Sequence, residues 1–460
     1  MAHTGDWAML QRFWCLVLTT GALVACGSTP AADATADAGA TDAASADSPP
    51  PFHAPTCDPT RTPIVFAHGF LAAGDTWALQ FQRFVENGHC PERLFAFDWN
   101  SLTQDLTAPT LELDAFIDSV TRTTGAAQVD LVGHSAGGGL GYAYLADADR
   151  AKKVRRYAHV ASFHEDGPAG PNGKTPTLNL WSDGDLVAGA GDITAATNDK
   201  IPGIDHYSVA TSAPSFVALW QFFDDGTPPA VTDVRPDDVL TLNGKALTLG
   251  ENSPELGADV TVWALDAQGA HRDAVPAFTA KLGADGHFGP FSATPGVSYA
   301  FVVKSAAADK PPITYFRPPF TRSDALVYLR TLPSADSLAG TLLAVVPFDD
   351  KATVLIVFSA SRAIITGQDS LTVDGTQIAT PDLADAKHTA IAFFVFDADS
   401  NGKSDGTPVA LFQSFAFLSG VDQYLTPTGT TPIAVVLNGR QVNVPHQPSK
   451  TVGPVVVVFP

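Results

Sequence analysis

The sequence predicts a mostly parallel, doubly wound β-sheet with helices on both faces, followed by all-β, sandwich-like modules. Between Thr62 and Phe223, apolar strand-like segments alternate with amphipathic segments of helical period, which is typical of a parallel sheet covered on both faces. Beyond Thr227 the helical period disappears, and short apolar runs are separated by Gly, Pro, Asp and Asn, as in all-β domains.

The individual strands follow from these apolar runs. Strands of the parallel sheet are predicted at 63–69, 94–99, 129–134, 157–162 and 177–182. The β region contains prominent apolar runs at 259–266, 296–303, 353–359, 390–396, 433–438 and 455–459.

Charge and composition limit the possible partners. The formal net charge is −21 at pH 7, and 45% of the residues are hydrophobic. Phosphate groups demand a basic protein surface, so this charge argues against nucleic acid as a partner and against electrostatic docking on anionic lipid. Contact with a membrane is therefore expected through apolar surface or through an anchor.

An export signal with a lipid anchor is predicted near the start of the sequence. The segment 13–28 (FWCLVLTTGALVACGS) contains an apolar run too short to span a bilayer, follows Arg12 and ends in small residues before Cys26. It resembles a bacterial lipobox, which implies cleavage before Cys26 and lipidation of its thiol. Gly27 favours the outer membrane or cell surface, since aspartate at this position commonly retains lipoproteins at the inner membrane. An ordinary signal peptide with a coincidental cysteine is the alternative.

Composition then divides the chain. Residues 27–55 have almost no large apolar side chain, which predicts a disordered acidic tether. The remaining cysteines, Cys57 and Cys90, predict one disulfide in an exported chain. The acidic, proline-containing segment 331–337 is the predicted seam between two β modules. The expected regions are a lipoprotein signal peptide at 1–26, a linker at 27–58, an α/β domain at 59–227, a β-sandwich-like module at 228–333 and a second β-rich module at 334–460.

The segment 128–149 (QVDLVGHSAGGGLGYAYLADAD) places Ser135 directly between a predicted strand and a predicted helix. The chain must reverse sharply at this serine, and Gly133 and Gly137 stand where strand and helix come too close for a Cβ. Folds rarely accept such strain without a function. The G-x-S-x-G pattern therefore predicts a nucleophile elbow with Ser135 as nucleophile, whereas the pattern without its strand and helix would be weak.

A serine nucleophile needs a base and an acid that orients the base. In α/β-hydrolases they follow in the order Ser, Asp or Glu, His, on loops after later strands. Asp185 is the favoured acid because the apolar pair after it would anchor the following turn, and Asp183 and Asp166 are the alternatives. His206 is the predicted base, since it is the only histidine between the acid and the β region.

An oxyanion hole needs two backbone N–H groups directed at the developing negative charge. The N–H of Ala136 follows the nucleophile at a helix N-terminus. The second donor is expected in the loop after the first strand, where the N–H of Phe70 is the candidate. The neighbouring His68 is expected to brace this loop rather than to transfer protons.

Several of these segments together resemble a known family. The matching segments of the α/β domain are AHGFLAAGDTWALQFQRFVENGHCPERLFAFDW, VDLVGHSAGG, LWSDGDLV and DHYSVATSAPSF. They resemble the small class 2 bacterial and archaeal lipases over about residues 62–225, and DGHFGPFSATPGVSYAFVV and RPPFTRSDALVYLR resemble the C-terminal β domain of some long-chain lipases. In some of those relatives the acid follows the preceding strand, where this chain has Ala161-Ser162-Phe163. That departure supports Asp185 here.

The resemblance implies an α/β-hydrolase that cleaves carboxylic esters, typically triacylglycerols, without a cofactor. No insertion in the α/β domain is large enough for a cap domain, so the site is expected to be open or covered by a small loop at 186–204. A polyester depolymerase is the alternative enzyme, because an open cleft with appended β modules also suits an insoluble polymer. An inert hydrolase domain on a surface-binding lipoprotein is the alternative outside catalysis.

The segment 392–412 suggests a calcium site. Oxygen ligands recur at the first, third, fifth, seventh and ninth positions of a loop with Gly402 at its turn, as in the first nine positions of a calcium loop. Position 12 is Pro408, which has no carboxylate, and strands rather than helices flank the loop. A polar hairpin turn is the competing interpretation. The candidate ligands are Asp397, Asp399, Asn401, the backbone carbonyl of Lys403 and Asp405.

Overall fold

The computed structural model describes residues 56–189, 191–387 and 389–460. The predicted signal peptide, the lipidation site at Cys26 and nearly all of the linker lie outside the described residues. Within them, Cys57 and Cys90 form a disulfide.

A six-stranded, wholly parallel sheet forms the α/β domain. Its spatial order is β2-β1-β3-β4-β5-β6. The strands are β1 Ile64–Ala67, β2 Leu94–Phe97, β3 Val129–His134, β4 Val154–Val160, β5 Thr177–Trp181 and β6 Thr197–Lys200. The first five lie where the apolar runs predict them. The sixth was missed because its sequence, TNDK, is polar and half-buried or exposed at the sheet edge.

Helices cover both faces of this sheet. They are α1 Ala78–Glu86, α2 Thr107–Thr124, α3 Ala136–Leu145, α4 Ala148–Ala151, α5 Ser208–Thr211 and α6 Ala213–Phe223. The side chains of β1 alternate between two cores: Phe66 packs with α1 and α6, whereas Val65 packs with α2 and α3. No helix among the described residues has the length and apolarity needed to cross a bilayer.

The β region forms three sheets. Its strands are β7 Leu240–Thr248, β8 Asp259–Leu265, β9 Phe278–Lys281, β10 His287–Ala293, β11 Ser298–Lys304, β12 Ile313–Arg317, β13 Asp324–Thr331, β14 Leu355–Ser359, β15 Leu371–Val373, β16 Thr376–Gln377, β17 Ala392–Phe396, β18 Leu418–Asp422, β19 Ile433–Leu437, β20 Arg440–Val444 and β21 Val455–Phe459, with a short helix α7 at Leu338–Leu343. The sheet orders are β10-β7-β13, β18-β17-β14-β21-β12-β11-β8-β9 and β16-β15-β19-β20. A parallel α/β-hydrolase sheet followed by β-rich modules confirms the predicted fold class.

The eight-stranded sheet takes strands from both sides of the predicted seam. β8, β9, β11 and β12 precede residue 333, and β14, β17, β18 and β21 follow it. The join is a parallel pairing of β12 with β21, in which Thr314 lies opposite Val455. The two β modules therefore share one continuous sheet, a pairing between segments some 140 residues apart that no local pattern could indicate.

The first part of the β region packs directly on the α/β domain. Leu247, Leu326 and Tyr328 belong to the same hydrophobic cluster as the α1–α6 face of the parallel sheet. Buried ion pairs surround this contact. Asp75 accepts two hydrogen bonds from the guanidinium of Arg330, at 2.8 and 2.5 Å.

A second carboxylate, that of Asp98 at the end of β2, is shared between the two parts. It accepts hydrogen bonds from Lys245 Nζ at 2.7 Å, from Tyr328 Oη at 2.9 Å and from the backbone N–H of Gly74 at 2.9 Å. Buried carboxylates require such partners, so the α/β domain is electrostatically complete only with β7 and β13 in place.

Arg330→Met should therefore destabilise the protein strongly. It leaves the Asp75 carboxylate, which is 9% exposed, buried without its partner, and breaking a buried pair in this way costs about 3–5 kcal/mol. Lys281→Met is the matched control, because the Lys281–Asp259 pair is exposed and such pairs contribute about 0–1 kcal/mol. Urea denaturation compares the two variants, and equal losses of unfolding free energy would contradict the role given to Asp75 and Arg330.

Candidate active site

Ser135 lies in a strained turn between β3 and α3. Its backbone has φ 53° and ψ −122°, a region that residues other than glycine rarely adopt. Hydrogen bonds hold the turn from both sides: the N–H of Ser135 donates to the carbonyl of Val160 at 3.0 Å, and its carbonyl accepts from the N–H of Gly138 at 2.8 Å and from Ser162 Oγ at 2.7 Å. The serine is therefore fixed at the carboxyl edge of the sheet.

The two glycines of the motif make this turn possible. A Cβ on Gly133 would lie 2.3 Å from the carbonyl oxygen of Gly137, and a Cβ on Gly137 would lie 2.5 Å from that of His68. Both distances are shorter than real Cβ contacts. Strand, helix and the loop after β1 meet here with backbone against backbone, which is the close approach that the motif predicts.

His206 and Asp185 form a buried pair beside the elbow. Asp185 follows β5, His206 follows β6, and His206 Nδ1 donates to Asp185 Oδ2 at 2.8 Å. The other carboxylate oxygen of Asp185 accepts from the backbone N–H groups of Val187 and Ala188, at 2.8 and 3.1 Å. Burial alone would raise the pKa of Asp185, but these hydrogen bonds, that from His206 above all, outweigh it and hold the pKa below 3.8.

The ring of His206 lies directly against the residue that precedes the serine. The ring centroids of His134 and His206 are 4.7 Å apart, and His134 Nε2 donates to the backbone carbonyl of His206 at 3.2 Å. Burial, with a smaller contribution from the neighbouring His206, lowers the pKa of His134 to about 3, so His134 stays neutral. Since Nδ1 of His206 faces Asp185, its Nε2 is the nitrogen left for a proton from another group.

The two alternative acids occupy different surroundings. Asp183 forms an exposed ion pair with Lys200 at 2.7 Å and accepts from the N–H of Gly203 at 2.8 Å. The hydrogen bond from Lys200, followed by that from Gly203, lowers its pKa. Asp166 is exposed on the loop after β4. Of the three aspartates, Asp185 is the one that the structure brings to His206.

The loop after β1, which carries the predicted oxyanion donor Phe70, crosses over the elbow. A Cβ on Gly69 would lie 3.0 Å from the Cβ of Ser135. His68 is fully buried within this loop and stacks on Trp99, whose backbone N–H donates to His68 Nε2 at 3.2 Å and whose indole N–H donates to the His68 carbonyl at 3.1 Å. Burial lowers the pKa of His68. These contacts with Trp99 indicate that His68 braces the loop. The N–H of Ala136 lies at the first position of α3, directly after Ser135.

One residue that supports this loop was not predicted from the sequence. Asn252, in the turn after β7, reaches across to His68 with its side-chain amide. It is separated from His68 by 184 residues and no motif surrounds it, so only the folded structure reveals the contact.

Exposed apolar side chains occur at the same edge of the sheet. Phe163, after β4, is 38% exposed, and Leu186, directly after Asp185, is 57% exposed. In the loop after β1, the Phe70 ring packs edge-on against Phe417 of the second β module, with centroids 6.1 Å apart. The surroundings of Ser135 therefore combine a buried polar pair with apolar surface.

The predicted calcium ligands are brought together only in part. Carboxylate oxygens of Asp397, Asp399 and Asp422 lie within 4.8 Å of one another. Asp422 was missed from the sequence. It ends β18, which pairs in parallel with β17 so that Asp422 lies opposite Phe396 and next to Asp397. Three converging carboxylates fit the oxygen preference of calcium.

The remaining predicted ligands take part in the turn itself. Asn401 Nδ2 donates to Asp399 Oδ2 at 2.6 Å, and its Oδ1 accepts from the N–H of Lys403 at 2.7 Å. Asp405 accepts from the N–H and hydroxyl of Thr407, at 2.9 and 2.7 Å. Calcium at this loop stays a prediction, centred on Asp397, Asp399 and Asp422.

Comparison with known proteins matches both parts of the chain. The family model for class 2 lipases matches residues 61–148, and the model for the lipase C-terminal domain matches residues 238–333. A third model, described only as a C-terminal domain, matches residues 359–460. The two lipase matches confirm the predicted resemblance to class 2 lipases and to the lipase C-terminal domain.

Solved structures are similar to a part of this chain. The mature form of Bacillus licheniformis lipase BlEst2 is 17% identical, over 38% of this chain and 96% of that chain, with a TM-score of 0.30. The naproxen esterase (carboxylesterase NP) of Bacillus subtilis is 14% identical, over 36% of this chain and 85% of that chain, with a TM-score of 0.28.

If calcium binds the Asp397–Asp422 loop, EDTA should lower the melting temperature of the β region, because a ligand bound only to the folded state stabilises it. Hydrolysis of a short soluble ester should change little, since the loop is not among the residues around Ser135. Asp399→Asn is the control and should melt alike with and without calcium. Calorimetry that shows no change with EDTA and none with millimolar calcium would leave the segment as a polar turn.

Proposed function

We propose that the chain, a carboxylic ester hydrolase with lipase-type domains, is a serine lipase that cleaves triacylglycerols through Ser135, His206 and Asp185. The observation that carries this proposal is the buried His206–Asp185 pair, joined at 2.8 Å and held against a strained serine turn. A fold keeps such strain where function requires it.

The proposed reaction begins with proton transfer from Ser135 Oγ to His206 Nε2 as the serine oxygen attacks the ester carbonyl carbon. The carbonyl π electrons move to oxygen, and the N–H groups of Phe70 and Ala136 stabilise this oxyanion. Asp185 orients the imidazole and stabilises the imidazolium. Collapse of the tetrahedral intermediate breaks the bond to the alcohol, which leaves with the proton from His206.

Water completes the cycle. His206 takes a proton from the water as its oxygen attacks the acyl-enzyme, a second oxyanion forms in the same place, and its collapse releases the fatty acid and returns the proton to Ser135. Asp185 suits its part because the hydrogen bonds from His206, Val187 and Ala188 outweigh its burial and lower its pKa, which favours the charged carboxylate. No cofactor is needed for any of these steps.

Apolar surface beside Ser135 supports a lipid as the substrate. Phe163 and Leu186 are exposed at the carboxyl edge of the sheet, where they are available to contact the acyl chain of an ester bound at Ser135. Burying apolar surface of this kind contributes about 25 cal/mol per Å² to binding. A long-chain glyceride exploits such surface better than a short, soluble ester does.

We further propose that the chain is an exported lipoprotein anchored through Cys26 at the outer membrane or cell surface. The support is the lipobox-like sequence ending at Cys26 and the acidic, core-free tether that follows it. An anchor compensates for the net charge of −21, which opposes adsorption to anionic lipid. Labelling with palmitate should be lost in Cys26→Ser.

Asp185→Asn should lower kcat by about 10⁴-fold, because the amide cannot hold the tautomer of His206 that accepts the serine proton. Asp183→Asn is the matched control: it removes an exposed carboxylate two residues away that pairs with Lys200 rather than with His206. Its kcat should stay within about twofold of the parent, since exposed pairs contribute little. Steady-state hydrolysis of a nitrophenyl ester measures both, and a larger loss in Asp183→Asn would overturn the assignment of the acid.

A substrate series separates the lipase from the alternatives. We expect triolein and long-chain nitrophenyl esters to be hydrolysed and polyhydroxybutyrate to remain intact, with Ser135→Ala as the inactive control. Hydrolysis of polyhydroxybutyrate without hydrolysis of triolein would favour a polyester depolymerase. Inactivity towards every ester would favour a surface-binding lipoprotein with an inert hydrolase domain.

A further inference from the structure

Asn252 of the β region stands behind the loop that carries the candidate oxyanion donor Phe70. Its side chain is 5% exposed, and Asn252 Nδ2 lies 2.9 Å from the carbonyl oxygen of Ala72, 2.9 Å from that of Trp99 and 3.2 Å from His68 Nε2. Backbone carbonyls can only accept hydrogen bonds, so the amide must present its NH₂ group to this side. The two hydrogens of this group serve the carbonyls of Ala72 and Trp99, so Asn252 anchors both residues beside His68.

This arrangement fixes the protonation of His68. The backbone N–H of Trp99 donates to His68 Nε2 at 3.2 Å, so this nitrogen is an acceptor and must be the unprotonated one. The proton then sits on Nδ1, which lies 2.8 Å from the carbonyl oxygen of Gly69 and donates to it. An imidazolium or the opposite tautomer would direct an N–H at the N–H of Trp99.

The hydrogen bond to Gly69 sets the direction of the next peptide group. The Gly69 carbonyl and the Phe70 N–H belong to one planar peptide unit, in which a trans bond directs them oppositely. The same carbonyl accepts the N–H of Ala72 at 3.3 Å. Two donors thus hold the carbonyl on the side of His68 and Ala72, which leaves the Phe70 N–H directed away from them.

We propose that Asn252 is a positioning residue of the oxyanion hole. It anchors Trp99, whose N–H fixes the Nδ1–H tautomer of His68, and Ala72, whose N–H holds the Gly69 carbonyl, and in this way it fixes the Phe70 N–H. This inference rests on the proposed function, because it assigns the Phe70 N–H to the oxyanion. It gives the β region a part in catalysis: a turn between β7 and β8 holds the donor loop of the α/β domain in its working orientation.

The turn itself is built to deliver this side chain. Asn252 has φ 55°, a left-handed conformation that asparagine tolerates better than most residues. Gly250, at φ 78°, packs so closely on Leu71 and Leu102 that a Cβ would lie 2.8 Å from Leu71 Cδ2. Ser101 Oγ accepts from the N–H of Leu71 at 3.0 Å and lies 3.5 Å from the Gly250 carbonyl. The turn and the donor loop therefore contact each other directly at Gly250 as well as at Asn252.

The first test is the tautomer of His68 in the full-length protein, measured by ¹H–¹⁵N NMR with labelled histidine and assigned with His68→Gln. We expect a neutral ring with its proton on Nδ1 at neutral pH. A proton on Nε2, or a doubly protonated ring, would overturn the proposal. This readout does not depend on ester hydrolysis and needs no variant of Asn252.

The second test compares Asn252→Gly with Gln82→Ala. Glycine tolerates the left-handed backbone, so this variant removes the amide with little strain. Gln82 Nε2 also joins the two parts of the protein, by donating to the carbonyl of Ser323 at 3.1 Å, but Gln82 is not part of the donor loop. Asn252→Asp is a second variant of the same shape, whose carboxylate oxygen cannot donate to Ala72 or Trp99.

Asn252→Gly should lower kcat about tenfold or more while KM stays within about twofold, because the lost orientation matters for the oxyanion rather than for the bound ester. Gln82→Ala should keep the parent kcat. Equal kcat in the parent, Asn252→Gly and Asn252→Asp would overturn the proposal. If both Asn252 variants fail to fold, the tautomer measurement decides it.

Failure of this proposal is distinguishable from failure of the proposed function. A parent protein that labels with an organophosphonate at Ser135, together with unchanged kcat in the Asn252 variants, refutes the positioning role and leaves the serine hydrolase intact. A parent that does not label refutes the proposed function itself.

Discussion

The backbone of Ser135, held at φ 53° and ψ −122°, is the constraint on which the rest of the α/β domain depends. A conformation of this kind costs about 1–3 kcal/mol and persists only where its surroundings determine it. Here Gly133 and Gly137 allow strand, helix and donor loop to meet without Cβ atoms, and hydrogen bonds from both sides fix the turn. His206, Asp185 and the loop of Phe70 lie around this serine, in the places where the proposed base, acid and oxyanion donor are needed.

The β region completes this arrangement rather than being tethered beside it. Arg330 neutralises Asp75, Lys245 and Tyr328 satisfy Asp98, and Asn252 braces the loop of His68. Unpaired buried charges and amides are costly, so removing β7 and β13 would leave the α/β domain with several of them at once. The second β module joins in turn through the parallel pairing of β12 with β21. Catalytic and β parts are therefore coupled by polar contacts as well as by a shared hydrophobic core.

Sequence reasoning succeeded where a pattern is local and failed where it is not. The first five strands of the parallel sheet were predicted from apolar runs. The serine turn was predicted because the spacing of Gly133 and Gly137 indicates a close approach of strand and helix. The order Ser, Asp or Glu, His along the chain then favoured Asp185 as acid and His206 as base, and the structure places these two side chains in contact. The polar edge strand β6 was missed because its side chains do not face a core. Asn252 and Asp422 were missed because their partners are distant in the sequence and come close only in the folded chain. A single polar residue outside a motif gives no sequence signal that would distinguish it from other polar surface residues.

The proposed activation of Ser135 by His206 and Asp185 can be measured without an ester substrate. Because a long-chain organophosphonate reacts only with an activated serine, the protein is incubated with this reagent and analysed by intact-mass and peptide mass spectrometry. We expect stoichiometric modification at Ser135, none in Ser135→Ala and strongly slowed modification in Asp185→Asn. An unmodified protein that retains its fold, or an adduct on another residue, would contradict it.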